Sequence, residues 1–226
     1  GLVNEDGEGY VDGNRNWGMN WNPSYVQRGA GNYPFEGTGI KAIAEWMLAR
    51  PNIILVFAFH NNGGMYLRGP SFKAAGELPQ GDIQVYDYLG QNMEKIVPGY
   101  EYLISWKDLY ATYGDFTDFT NNLIGSYSLV GELYQPETET YDGTMARKSE
   151  ERSRFGEASE AERQRLLFDD NVNQGELFKE WKSYKHPLYG DIEIGGWTKM
   201  SSRLPHPFML QDLVHRNASS VIFAAR

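Results

Sequence analysis

An uninterrupted apolar run, Ile53–Phe59, is the sequence feature that most restricts the fold. Its residues, IILVFAF, include no charge, glycine or proline. Such a run predicts a β-strand covered on both faces, as in a parallel or mixed sheet between helices. His60 follows directly, and then the polar, glycine-rich stretch 61–64. Because open α/β sheets bind ligands at the carboxyl ends of their strands, we expect a site there.

The sequence around this strand predicts an α/β fold with a mixed sheet flanked by helices. Residues 38–50 carry an apolar stripe at helical spacing, with Thr38 as the N-cap and Pro51 ending the helix. Further helices are predicted at 84–97 and 210–225, and further strands at 126–134 and 191–197.

We predict one domain over residues 1–226, because no linker or internal repeat divides the sequence. The stretch at about 136–180 differs in composition and is predicted to be an exposed, charged insertion. Within it, 159–167 (SEAERQRLL) has the pattern of a charged helix with few apolar positions.

Composition excludes several classes of function. The net charge of -9 argues against binding to nucleic acid or to an anionic membrane surface. No stretch approaches the ~20 apolar residues of a transmembrane helix. There are no cysteines, so any metal must be held by His, Asp or Glu. The aromatic content of 14% fits a core with half-buried rings, or an aromatic-lined cleft for an extended ligand.

The segment Asn14-Arg15-Asn16-Trp17 is a candidate site for a carboxylate. Arg15 offers a planar fork that can bind a carboxylate through two hydrogen bonds, and Asn14 adds a neutral donor. The alternative is a loop turn with a surface arginine. The tripeptide alone does not decide between them.

Two other segments carry candidate groups. Glu132 lies within an apolar strand, where a carboxylate is costly unless it has a partner or a raised pKa. The loop Tyr110–Phe119 (YATYGDFTDF) is either a mobile cover over a site or ordinary surface. A lone histidine beside a buried strand, such as His60, is more often a structural residue than a ligand, and its position at the strand end favours a ligand.

Taken together and in this order, these segments resemble the carboxypeptidase A/B-like zinc peptidases. The resemblance covers roughly residues 3–135 and is specific only in combination. Asn14-Arg15 resembles the family's Asn-Arg pair, and the strand ending in Phe59-His60 resembles the strand that carries its third zinc ligand. The stretch from Tyr110 to Glu132 aligns with the family without a gap, and Gly114 falls on a loop glycine.

The resemblance implies a role for each matching residue. His60 would ligate zinc, and Arg15 with Asn14 would hold the C-terminal carboxylate of a peptide or protein substrate. Tyr110 would close over the bound end. Glu132 would act as the catalytic general base on zinc-activated water.

The sequence departs from the family pattern in its metal ligands. It contains no His-x-x-Glu motif, which supplies the first two zinc ligands in the family. We expect that motif, an arginine that polarises the scissile carbonyl and the first strands of the sheet to lie upstream. One histidine cannot hold catalytic zinc, so we expect this segment alone to be inactive. The three remaining histidines are predicted to be structural or exposed: His186, His206 and His215.

The resemblance implies that the residues just before the Asp118-Phe119 pair line the pocket for the C-terminal side chain of the substrate. Asp115 and Thr117 occupy that stretch, and a carboxylate there would favour a basic C-terminal residue. The alternative for Asp115 is a turn residue in a glycine-containing loop.

A calcium site is a further possibility near the amino-terminal end of the sequence. Asn4, Asp6, Glu8 and Asp12 follow the spacing of a calcium-binding loop, but Arg15 stands where the usual bidentate glutamate would be. The alternative is a plain acidic turn.

Three functions therefore follow from the sequence. The first is a zinc metallocarboxypeptidase, for which the family implies a secreted or periplasmic setting. The second is an inactive homologue that binds peptide C-termini. The third, a carbohydrate-binding module, is suggested by aromatic content alone, and the predicted helices argue against it.

Overall fold

The computed structural model describes residues 11–134, 166–171, 173–198 and 207–226. They divide into two compact units. The first contains the described residues up to His60, Met65–Gly131 and Ser220–Arg226. The second contains Asn61–Gly64 and the described part of Glu132–Ser219. The assignment of one domain stays a prediction.

Most residues of a four-stranded sheet belong to the first unit. Its strands are β1 (Leu55–Asn61), β2 (Met65–Arg68), β3 (Glu101–Ile104) and β4 (Tyr127–Leu133). Their order is β1-β4-β2-β3, and β2 runs parallel to β3 with Met65 opposite Glu101. The fold is a mixed sheet flanked by helices, which confirms the predicted class.

The helices are α1 (Thr38–Leu48), α2 (Gln80–Ile96), the short α3 (Phe116–Phe119) and α4 (Leu210–Ala224). Two π-helical turns lie at Ser105–Leu109 and Thr120–Ile124, and 3-10 turns lie at Lys73–Ala75 and Pro207–Met209. Residues 166–171 are also helical. No helix among the described residues combines the length and apolarity needed to cross a membrane.

Two helix starts differ from the sequence prediction. The N-cap of α1 is Gly37, and Thr38 is the first helical residue. The N–H of Gly37 donates a hydrogen bond to the side-chain oxygen of Asn16 at 3.0 Å. The loop that contains Asn16 therefore fixes this end of the helix. Helix α2 begins at Gln80, four residues before the predicted start, because the extended Pro79 precedes it.

The apolar run forms β1 but is less covered than predicted. β1 is the terminal strand of the described sheet, with β4 as its neighbour. Phe59 is 48% exposed, and Ile54, just before the strand, is 75% exposed. The prediction that both faces are covered is therefore wrong for the described part of the chain.

An aromatic cluster forms part of the core of the first unit. Trp17, Ala44 and Phe119 are buried together, and the rings of Trp17 and Phe119 are 4.9 Å apart. Phe35 packs on the same cluster, with its ring edge towards Trp17. Since Trp17 lies two residues after Arg15, this cluster anchors the loop that carries the candidate carboxylate-binding residues.

The second unit contains a β-hairpin, β5 (Phe178–His186) and β6 (Gly190–Trp197). The strands are antiparallel, and Phe178 lies opposite Trp197. The carboxylate of Asp169 accepts the backbone N–H of Leu177 and of Phe178, both at 2.9 Å. Most of the predicted insertion at about 136–180, including most of the predicted helix 159–167, lies outside the described residues.

Candidate functional site

Asn16 fixes the loop that carries Arg15. It is fully buried, and its amide nitrogen donates to the carbonyl oxygens of Ala30 at 2.6 Å and Tyr33 at 2.8 Å. Its amide oxygen accepts from Gly37. Three backbone groups from separate turns thus hold this one side chain, and the backbone of Arg15 has little freedom.

Gly114 brings a second loop against the same backbone. Its carbonyl oxygen accepts from the N–H of Trp17 at 2.8 Å. Its φ of +65° is in the left-handed region, and a Cβ there would lie 2.7 Å from the carbonyl oxygen of Arg15. Both the backbone angle and the close approach require glycine, which explains the loop glycine in the sequence.

Asn14 has a fixed orientation. Its side-chain oxygen accepts from the backbone N–H of Phe116 at 2.9 Å, and its own N–H donates to Asp12 Oδ1 at 2.7 Å. The oxygen of the amide is therefore occupied at the start of α3. Within the described part of the chain, no hydrogen bond engages its side-chain nitrogen, which has two donors.

Arg15 is half-buried and largely unpaired among the described residues. One terminal nitrogen donates to the carbonyl oxygen of Asn14 at 2.7 Å. It forms no ion pair with a carboxylate in the described part of the chain. Because a guanidinium has five N–H donors, most of the fork remains for an anionic ligand.

His60 ends the apolar run on β1 and lies in the same electrostatic environment. Burial lowers the pKa of its imidazole, and the positive charge of Arg15 lowers it further. The carboxylates of Asp12 and Asp115 act in the opposite direction. The net effect favours the neutral imidazole, the form that binds metals.

A cavity of about 390 Å³ lies beside Asn14 and His60. Its polar lining comes from Asp12, Asn14 and His60, and its apolar walls include Trp17 and Phe116. The structure therefore brings together residues from the first candidate segment and from the end of the apolar strand, which are more than 40 positions apart in the sequence.

Asp115 acts as the N-cap of α3. Its Oδ1 accepts from the N–H of Asp118 at 2.8 Å, and its Oδ2 accepts from the hydroxyl of Thr112 at 2.7 Å. Asp115 is buried, with both oxygens engaged. This matches the turn-residue alternative, and a role in substrate specificity stays a prediction.

Asp118 is a buried carboxylate whose environment the sequence did not reveal. Oδ1 accepts from the N–H and the hydroxyl of Ser71, at 3.2 and 3.0 Å, and Oδ2 accepts from Asn20 at 2.9 Å. Burial, with a smaller effect from the Asp115 carboxylate, raises its pKa to about 6. No local pattern marks Ser71 or Asn20 as its partners, because both come from distant segments.

Tyr110 follows the π-helical turn Ser105–Leu109, and its N–H donates to the carbonyl oxygen of Ser105 at 3.0 Å. Its side chain is 55% exposed. The position suits a side chain that moves, and closure over a substrate stays a prediction.

Glu132 is half-buried on β4 and belongs to the second unit. Its predicted place beside His60 and Arg15, and its role as general base, stay predictions.

The described residues do not complete a metal site. They contain no group of three His, Asp or Glu side chains that could hold an ion. His60 is thus a single candidate ligand, and zinc does not fit the described residues by themselves. Of the calcium candidates, Asn4, Asp6 and Glu8 lie outside the described residues.

The other histidines have different surroundings. His186 Nδ1 accepts from the N–H of Leu188 at 3.1 Å and of Tyr189 at 3.2 Å, within the β5–β6 turn. His215 is exposed on α4. Both observations agree with the structural or surface roles predicted for them, and His206 lies outside the described residues.

Comparison with known proteins gives likeness to solved structures only. No family model and no curated protein sequence matches the chain. It is similar to carboxypeptidase A from Helicoverpa armigera, with 25% identity and a TM-score of 0.46 over 54% of this chain. It is also similar to thrombin activatable fibrinolysis inhibitor, with 20% identity and a TM-score of 0.49 over 60% of this chain. The chain spans 32% and 36% of the lengths of those two proteins.

Proposed function

We propose that the protein is a metallocarboxypeptidase and that this chain supplies the site for the C-terminal carboxylate of its peptide substrate. The observation that carries the proposal is the guanidinium of Arg15, which forms no ion pair among the described residues, next to the oriented amide of Asn14 and within electrostatic reach of His60.

Charge explains why this site would select a peptide end. A free C-terminus is a planar carboxylate, which a guanidinium binds through two parallel hydrogen bonds. The Asn14 amide, whose oxygen is held by Phe116, would add a third donor. A C-terminal amide has no negative charge, so it would lose the ionic part of this interaction.

Within this proposal, Glu132 moves the proton of the attacking water and returns it to the leaving amine. The neutral imidazole of His60 is the single metal ligand that the described residues offer. The remaining ligands lie outside these residues.

A second function uses the same binding residues. An inactive homologue that binds peptide C-termini would need Arg15 and Asn14 but no metal, and both residues are held by hydrogen bonds in the described part of the chain. The two candidates share the binding step and differ in hydrolysis.

The binding step is tested by calorimetry with an N-blocked dipeptide that ends in a free carboxylate, and with its C-terminal amide. We expect the acid to bind at least about tenfold more tightly than the amide, as a charge-assisted hydrogen-bonded pair requires. Arg15→Gln should abolish this preference.

Arg28→Gln is the matched control, because it removes the same charge from an exposed position in the same segment. It should leave the preference for the acid unchanged. Equal affinity of the native chain for acid and amide, or an equal loss in both variants, would refute the proposed carboxylate site.

A further inference from the structure

The buried carboxylate of Asp118 joins three separate segments of the first unit. Asp118 itself belongs to α3, its Oδ1 accepts the N–H and the hydroxyl of Ser71, and its Oδ2 accepts an amide N–H of Asn20. Ser71 lies just after β2, and Asn20 lies in the same loop as Arg15. One side chain therefore holds α3, the end of β2 and the Arg15 loop together.

Asn20 transmits this constraint towards Arg15. Its backbone is in the left-handed region, with φ +55°, where asparagine is enriched among non-glycine residues. Its carbonyl oxygen accepts the N–H of Gly114 at 3.2 Å, and the carbonyl oxygen of Gly114 accepts the N–H of Trp17 at 2.8 Å. The contact of Asn20 with Asp118 therefore ties the Arg15 loop to the loop before α3.

Helix α3 transmits the same constraint towards Asn14. Its first turn is held by Asp115, whose Oδ1 accepts the N–H of Asp118 at 2.8 Å. In that turn, the N–H of Phe116 donates to the side-chain oxygen of Asn14 at 2.9 Å. Asp118 is thus connected to the loop of Arg15 on one side and to Asn14 on the other.

The ionised form of Asp118 fits these contacts better than the protonated form. All three groups that it meets are donors, two from Ser71 and one from Asn20. A carboxylate accepts all three hydrogen bonds, whereas a carboxylic acid must direct its own proton towards one of the donors. Protonation therefore requires the Ser71 hydroxyl or the Asn20 amide to turn and become an acceptor.

The surroundings oppose that ionised form. Burial, with a smaller effect from the Asp115 carboxylate, raises the pKa of Asp118 to about 6. Glu77, Asp82 and Tyr127 line a cavity with Asp118, and no basic side chain is among the described residues that line it. An asparagine would avoid this cost, and carboxylates that keep such a cost are concentrated at functional sites.

We propose that Asp118 is a positioning residue for the carboxylate site, which binds a peptide C-terminus most tightly when Asp118 is ionised. This role presupposes the proposed function, because it concerns the site formed by Arg15 and Asn14. Protonation would release Asn20 or Ser71 and allow the Arg15 loop to shift. Since binding and ionisation are linked, a peptide that prefers the ionised form must release a proton when it binds.

Calorimetry at pH 5 and pH 7.5, with the N-blocked dipeptide that ends in a free carboxylate, tests this role. At pH 5, one unit below the pKa of about 6, about one molecule in eleven has an ionised Asp118, so the affinity should fall by up to about tenfold. Asp118→Asn should bind more weakly than the native chain at pH 7.5 and should lack this fall. At pH 6, titrations in buffers of different ionisation enthalpy should detect protons released by the native chain but not by Asp118→Asn.

Two other effects of pH are separated by this comparison. Protonation of His60 changes the charge near Arg15 over the same range, but it does so in both proteins and cancels in their difference. A general loss of structure cannot explain weaker binding at pH 5, because protonation of Asp118 stabilises the fold. Asn20→Gly provides a second variant if Asp118→Asn does not fold. Glycine accepts the left-handed backbone, and removal of the amide should make the fall in affinity smaller.

Asp82→Asn is the matched control, because Asp82 lines the same cavity as Asp118 but accepts its hydrogen bond from the hydroxyl of Tyr127. It should keep the native pH dependence. A native chain that prefers the acid to the amide but shows the same pH dependence as Asp118→Asn, or the same fall in Asn20→Gly as in the native chain, would overturn the role of Asp118 and leave the proposed function standing. No preference for the acid in the native chain would refute the carboxylate site, and the role of Asp118 with it.

Discussion

At the scale of single residues, Asp118 has the strongest consequence for pH dependence. Its burial against Ser71 and Asn20, with Asp115 nearby, raises its pKa from 3.8 to about 6. A carboxyl with a raised folded pKa binds its proton more readily in the folded state than in the unfolded state. Stability from this group is therefore fully present below pH 4 and is lost as the pH rises to about 6.

The variant Asp118→Asn tests this sign. The pKa difference corresponds to about 3 kcal/mol. The free energy of unfolding of the native chain, relative to the variant, should therefore fall by up to that amount between pH 4 and pH 7. Urea denaturation of both proteins across this pH range measures the difference in their free energies of unfolding. The contributions of the other carboxylates are the same in both proteins and cancel in this difference. A difference that stays constant or increases with pH would contradict the assignment.

At the scale of elements, the contact between the Gly114 loop and the Arg15 loop gives the next prediction. Gly114→Ala should destabilise the protein, because alanine is strained at φ +65° and its Cβ would overlap the Arg15 carbonyl oxygen. The variant should also bind the free-carboxylate dipeptide less tightly, since the backbone of Arg15 must shift.

Gly125→Ala separates the two causes. Gly125 is in the left-handed region, with φ +76° and ψ 24°, but a Cβ there would have no neighbour within 4 Å. This variant should lose only the stability that the left-handed backbone angle costs an alanine, about 1–2 kcal/mol. Its affinity for the dipeptide should not change. Equal losses of stability and affinity in the two variants would show that the loop contact has no special importance.

The same scale shows what the sequence could predict. β4 and α4 lie within one residue of their predicted bounds, because each has a long, clear apolar pattern. β3 was not predicted, since its four residues lie in a tyrosine-rich stretch without a period. β5 was not predicted, because its sequence, FKEWKSYKH, places charged residues on both faces of the strand. Most of its residues are exposed in the structure. Local sequence identified β1 as a strand but could not specify its neighbours.

At the scale of the whole molecule, the candidate site was predicted by residue type better than by geometry. Asn14, Arg15 and His60 were singled out by residue type and by their order along the chain, and their roles stay predictions. The structure places Asn14 and His60 in the lining of one cavity and Arg15 within electrostatic reach of His60. The capping of α3 by Asp115 and the partners of Asp118 depend on contacts between distant segments. Periodicity carries no information on such contacts.

Zinc binding tests how much of a catalytic centre this chain contains. Catalytic zinc needs three protein ligands and an open position, and the described residues offer His60 without two partners. Calorimetric titration with zinc at pH 7.5 should therefore show only weak uptake, and the loaded chain should not hydrolyse the N-blocked dipeptide. His60→Ala should reduce that uptake, whereas His215→Ala, at an exposed position on α4, serves as the matched control.

Tight one-to-one binding that only His60→Ala removes, together with hydrolysis, would mean that the chain completes its own metal site. In that case the ligands beside His60 must come from residues outside the described part, and the inactive homologue would be excluded.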